Sequence, residues 1–210
     1  MGLIEPGGGH ILTAVSGFRL RIIPSRVPYR YRLGPSPAEV DVEILEGDAW
    51  LGARIIASDG GFQSTLRSTT PTLADVADVT AGPELTSWWL ETSAYRVPLI
   101  AGWTALSGDG PSAFDLIGPG DCLVFVQTPK RIPPLTEMRG PGQQIGGSGS
   151  DARSEWVDLS YIMDDVRWNQ RHHVVRAGAV VAVITAQAPE SRMSSAIAVQ
   201  MRWVEEIVAA

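Results

Sequence analysis

Apolar positions recur along this chain at two periods, and the clearest pattern closes it. Val174-Val175-Arg176, Ala177-Gly178 and Ala179 to Gln187 predict two strands joined by a tight turn. The second strand, Ala179-Val180-Val181-Ala182-Val183-Ile184-Thr185, is apolar on both faces, which predicts that both are covered. Pro189 then suits the first turn of a helix, and Glu190 suits its positive end. That helix is expected from about Glu190 to Val208, with Met193, Ile197, Val204 and Val208 at helical spacing and Met201 and Ile207 beside them. Burying four or five such side chains at ~1.5–3 kcal/mol each makes this the strongest core signal in the sequence.

Upstream, period two dominates. Phe18 to Ile23, Tyr29 to Leu33 and Val40 to Ile44 predict strands, the last with Asp41 and Glu43 on a wet face. Glu46-Gly47-Asp48 turns that strand into a partner, Ala49 to Ala57, to make a hairpin. Ile11 to Val15, Val97 to Leu106, Ala113 to Ile117, Cys122 to Gln127, Glu155 to Met163 and Trp168 to Val175 are further expected strands. Thr70-Pro71-Thr72-Leu73 predicts the start of a short helix through Val76 and Ala77, and Pro83 to Tyr95 a second one. Met1 to Gly9 is expected to fray. Residues 139–154, with Gly140-Pro141-Gly142 and Gly146-Gly147-Ser148-Gly149-Ser150, are expected to form a flexible Gly/Ser-rich loop, a flap over a site or an unselected insertion. No linker divides the chain, so residues 1–210 are expected to form a single domain.

Charge and composition narrow the function. Seventeen basic against twenty-three acidic residues give a net charge of −6, which argues against a nucleic-acid or anionic-membrane binder. The arginines crowding the N-terminal region (Arg19, Arg21, Arg26, Arg30, Arg32) are expected as strand-edge and loop anchors. No apolar run approaches the ~20 residues of a membrane span, and no secretory signal opens the sequence, so a cytoplasmic location is expected. The single Cys122 excludes an intramolecular disulfide, and its apolar neighbours predict a core thiol.

The common catalytic signatures are missing. Lys130, the only lysine, follows no phosphate-binding loop; Gly140 to Gly146 has the wrong spacing for a dinucleotide motif; Gly146-Gly147-Ser148-Gly149-Ser150 lacks the last glycine of a nucleophile elbow. His172 and His173, adjacent on a strand, point to opposite faces and cannot readily share one metal. Asp164-Asp165 fits turn chemistry better than paired acid–base work. No catalytic residue, metal or cofactor is therefore expected. Seven tryptophans are more than packing requires. Trp203 is expected in the core, whereas Trp156, Trp168 and the Trp88-Trp89 pair flank loops or strand ends where an aromatic can line a pocket. Trp168, Gln170 and His172 share one strand face, so the candidate ligand-binding set is Trp156, Tyr161, Trp168, Gln170 and His172.

The order of elements carries a resemblance. A hairpin such as Val174-Val175-Arg176-Ala177-Gly178-Ala179-Val180-Val181, leading through Ala188-Pro189-Glu190 into a C-terminal helix, resembles the PsbP superfamily, and Phe18-Arg19-Leu20-Arg21-Ile22-Ile23-Pro24 resembles its early strand and proline. That group includes photosystem PsbP proteins, LpqN-type lipoproteins and chaperones of type VI secretion effectors. The resemblance implies an α+β fold, an antiparallel sheet packed by helices in an α/β sandwich, and binding work more often than catalysis. It transfers no active-site residue. Three readings follow: a non-enzymatic adaptor or chaperone-like protein holding a protein segment or an apolar small molecule on its sheet face; a small-molecule cyclase or isomerase with an aromatic pocket; and a structural subunit of a phage or bacterial assembly.

Overall fold

The computed structural model describes residues 18–22, 29–34, 39–46, 49–58, 61–64, 77–81, 88–107 and 114–209. The first strands are β1 (Phe18–Ile22), β2 (Tyr29–Leu33), β3 (Glu39–Glu46), β4 (Ala49–Ser58), β5 (Gly61–Ser64) and β6 (Ala77–Ala81). Next come β7 (Trp88–Glu91), β8 (Tyr95–Pro98), β9 (Thr104–Ser107), β10 (Phe114–Ile117) and β11 (Leu123–Gln127). The chain closes with β12 (Gln144–Ser150), β13 (Ser154–Met163), β14 (Val166–Ala177), β15 (Val180–Pro189), helix α1 (Met193–Glu206) and β16 (Val208–Ala209).

Eleven strands form one antiparallel sheet in the order β12-β13-β14-β15-β11-β10-β9-β2-β3-β4-β5, and five form a second in the order β16-β8-β7-β1-β6. The expected terminal hairpin is present as β14 and β15, with Gly178 at a φ of 60° in its turn, where glycine carries no steric penalty. Helix α1 packs on β15, β14 and β11 of the large sheet and on β8 of the small one. One buried cluster thereby joins Val124, Ile184 and Ala186 to Trp203 and to Trp88, Leu90 and Val97. Trp203 is fully buried, as expected, and its indole N–H donates to the Pro98 carbonyl at 2.9 Å. The buried helix positions are Met193, Ala196, Val199, Gln200, Trp203 and Val204; Ile197 and Met201 pack at the margin. Gln200 lies within this apolar face because its amide N–H groups donate to the Arg171 and Ile184 carbonyls, at 2.9 and 2.7 Å, fixing the helix to two strands at once.

Five expectations change. The strand expected over Val97 to Leu106 is broken at residues 99–103, where the Trp103 N–H donates to the Ile100 carbonyl at 3.2 Å, so its ends belong to β8 and β9. The helix stops short of Val208, which pairs with Arg96 as part of β16. Of the helix expected over Pro83 to Tyr95, residues 83–87 lie outside the described residues and the rest belongs to the hairpin β7–β8: Trp88 and Leu90 are buried while Trp89 and Glu91 are half-exposed, which is strand alternation. Thr92 makes the turn, its hydroxyl accepting from the Ala94 and Tyr95 N–H groups, so local side-chain bonding replaces a helical ladder. Ala77, expected in a short helix, opens β6; the proposed helix start at Thr70-Pro71-Thr72-Leu73, the strand Ile11 to Val15 and the start Met1 to Gly9 lie outside the described residues. The loop expected over residues 139–154 is largely strand, because Gln144–Ser150 pairs with β13 as β12. The sheet is covered by a single α-helix among the described residues, so the architecture is α+β with strands dominant.

Candidate functional site

The candidate residues lie where the large sheet ends, on β13 and β14. Their register pairs Trp156 with His173, Val157 with His172, Leu159 with Gln170 and Tyr161 with Trp168. Strand alternation places Tyr161, Trp168, Gln170 and His172 on one face and Trp156 on the other, so the structure gathers four of the five expected residues. Tyr161 and Trp168 are stacked, with ring centroids 6.5 Å apart and planes 20° from parallel.

The inner residues of that face already have partners. His172 Nδ1 and Thr185 Oγ1 are 2.8 Å apart across β14 and β15, and burial lowers the imidazole pKa. Gln170 Oε1 accepts from Gln143 Nε2 at 2.7 Å, while Gln143 Oε1 accepts the Gly140 N–H at 2.7 Å. Gln143 belongs to the segment between β11 and β12, which must cross β15, β14 and β13 to reach the sheet edge. The hydrogen bond to Gln170 and the packing of the turn Leu135–Glu137 on β13 show that it crosses over this face. Tyr161 and Trp168 stay half-exposed beyond the crossing.

The opposite face carries a group that sequence reading missed. Arg171 grips Asp158 with two bonds of 2.6 and 2.8 Å, and its guanidinium lies 4.4 Å from the centroid of the Trp156 ring. The indole in turn lies over β12 at Gly147 and Gly149. The one signal for this in the sequence is the spacing of those glycines: two residues apart on a strand, they clear one face for an aromatic neighbour.

Below Trp156, the buried His173 places Nε2 2.8 Å from Ser154 Oγ, which donates to Asp151 Oδ2 at 2.9 Å. Asp151 Oδ1 also accepts the Arg153 and Ser154 N–H groups, and these bonds, led by that from Arg153, hold its carboxyl below the usual range. The serine proton is committed to Asp151, so the hydroxyl accepts from the histidine and is not presented to it as a nucleophile. This chain of bonds locks the turn between β12 and β13.

The sheet edge itself is open. Among the described residues β12 pairs with β13 alone, and Gln144-Ile145-Gly146-Gly147-Ser148-Gly149-Ser150 contains no charge and no proline. A bulge at Gly146 interrupts its register, leaving Gly147 to Ser150 regular. Exposed apolar side chains surround its first residues: Ile145 (42%), Ile162 (63%), Met163 (41%) and Val166 (47%). Asp164 and Asp165, at φ of 50° and 60°, form the two-residue turn of the β13–β14 hairpin, which accounts for the acidic pair as turn chemistry. A cavity of about 90 Å³ at this end is lined by Gly142, Gln144, Ser160, Tyr161, Ile162 and Arg167. It falls short of the roughly 300–1,000 Å³ of small-molecule sites. Among the described residues no three His, Cys, Asp or Glu side chains converge to hold a metal, and no helix is long and apolar enough to cross a membrane.

No family model matches the chain, and no curated protein matches it. Among solved structures, that of LpqN, described as involved in cell envelope biogenesis of Mycobacterium tuberculosis, is similar over 55% of this chain and 83% of that one, with 14% identity and a TM-score of 0.31. The likeness is architectural. At this TM-score it carries no argument about this chain.

Proposed function

We propose that this chain is a non-enzymatic binding module that takes up an extended polypeptide segment by strand addition along β12. The observation that carries this reading is the open edge of β12, seven residues long and free of the charges and proline that usually blunt such edges. The sheet faces themselves are less available: α1 covers one, and the segment before β12 crosses the other at Gln170. An added strand would gain backbone hydrogen bonds worth about 0.5–1.5 kcal/mol each, a modest sum that apolar contacts must supplement. Ile145, Ile162 and Met163 stand exposed for that purpose.

The test is site-specific photo-crosslinking in the native host, with the reactive group at Ser148 on β12 or at Glu205 on the exposed side of α1. Strand addition predicts a discrete polypeptide adduct from Ser148 and none from Glu205. Equal patterns from both positions would contradict it.

A further inference from the structure

We propose that the guest segment is a chain terminus, and that its α-carboxylate is received by Arg167 in the cavity at the start of β12. This deepens the strand-addition reading and rests on it. Every pairing in the large sheet is antiparallel, and a guest continuing that pattern runs opposite to β12. Its C-terminal end therefore arrives at Gln144, where β12 begins. The bulge at Gly146 shifts the register of β12 just before that point, between Gly147↔Asp158 and Ile145↔Leu159, and bends the edge beside the cavity.

The two ends of β12 differ in charge. At the Ser150 end two carboxylates stand beside the arginines: Glu155 lies 3.8 Å from Arg176, and Asp151 accepts the Arg153 backbone N–H and the Ser154 hydroxyl. At the Gln144 end, Arg167 lines the cavity and makes no ion pair or hydrogen bond among the described residues. A guanidinium matches a carboxylate in a planar two-bond geometry, and the Gln144 amide and Ser160 hydroxyl beside it supply further donors. Asp164 and Asp165 occupy the hairpin turn beyond, but neither lines the cavity nor pairs with Arg167. Ile162 and Ile145, exposed on opposite faces of the sheet next to this end, call for apolar side chains at the final positions of the guest. The occupant is thus an apolar-ended peptide with a free C-terminal carboxylate.

The probe is a pair of arrays of random heptapeptides, one anchored at the N-terminus so that the carboxylate is free, the other anchored through the C-terminus. Peptides selected on the first are remade in solution as free acids and as amides. The expected result is selection on the free-carboxylate array, apolar residues at the last positions, affinity at least tenfold weaker for the amide, and a similar loss in Arg167→Gln. Arg167→Lys should recover part of the affinity, and unchanged urea unfolding of each variant excludes a folding defect. Equal binding of acid and amide, abolished by Ser148→Pro, would overturn the carboxylate site and leave strand addition standing. No binding from either array would overturn both.

Discussion

Trp156 lies across Gly149 of the neighbouring strand so closely that a β-carbon at Gly149 would stand 2.8 Å from the indole Cε2 and Cζ2 and 2.9 Å from Nε1. A real β-carbon does not approach so near, so Gly149→Ala must move either the indole or β12. Overpacking of this kind costs roughly 1–3 kcal/mol. At Gly147 the nearest indole atom would be 3.8 Å away, an ordinary contact. Urea unfolding should therefore show a clear loss for Gly149→Ala and little change for Gly147→Ala; equal effects would mean that Trp156 does not rest on Gly149.

Arg171, on β14, holds the same indole. Its two bonds to Asp158 and its position over the ring need a planar guanidinium, which lysine lacks. Arg171→Lys should lower stability by about 1–2 kcal/mol, within the range of a charged hydrogen bond with a cation–π contact. A double-mutant cycle with Asp158→Asn should show coupling between the two positions, and strict additivity would rule out the pairing.

Acid should destabilise the fold through its two strand histidines. Burial lowers the pKa of both His172 and His173; at His173 the charge of Arg171 adds to this, while Asp151 and Asp158 oppose it. His173 Nδ1 is buried with no partner, so a proton there would gain no acceptor. Because the folded-state values lie below the ordinary ~6.5, the unfolded chain binds more protons once the pH falls past that value. The stability contributed by the neutral imidazoles is present above it and is lost as the pH falls toward the folded-state values. The urea midpoint should be lower at pH 5.5 than at pH 7.5, and the slope should flatten in a His172→Gln, His173→Gln double variant. A midpoint that rises on acidification would contradict this.

Cys122 should behave as a core thiol. It is 1% exposed, its Sγ lies 3.7 Å from the Arg192 carbonyl, and burial raises its pKa while Arg192 partly opposes the rise. Reaction with a thiol reagent should be slow in buffer and should accelerate at the urea midpoint. Rapid labelling of the folded protein would place the thiol at the surface.

The parts of the fold legible in the sequence are those where one chemical pattern dictates one structure. Val180 to Ala186 is apolar on both faces and could only be a covered strand, and alternation alone separates His172 from His173. Trp88-Trp89-Leu90 was not legible as a strand, since three adjacent apolar residues fit either period, and the Thr92 hydroxyl that turns the chain acts only once Ala94 and Tyr95 fold back. Gln144 to Ser150 was misread for a related reason: glycine weakens a strand by its entropy, and what offsets this, the Trp156 indole, comes from another strand. The candidate site was legible as a set of residue types, and Tyr161, Trp168, Gln170 and His172 do share a face. Their partners Gln143 and Thr185 were not legible, because the sequence does not state that the segment before β12 crosses that face, or which strand pairs with β14.

The most direct test of strand addition is residue-resolved amide hydrogen exchange across Gln144–Ser150, with and without a saturating heptapeptide selected on the free-carboxylate array. The inward amides of β12 already bond to β13, so strand addition predicts new protection at the alternate, outward amides, centred on Gly147 to Ser150. Unchanged exchange along β12, with protection appearing instead on α1 or around Trp168, would contradict it.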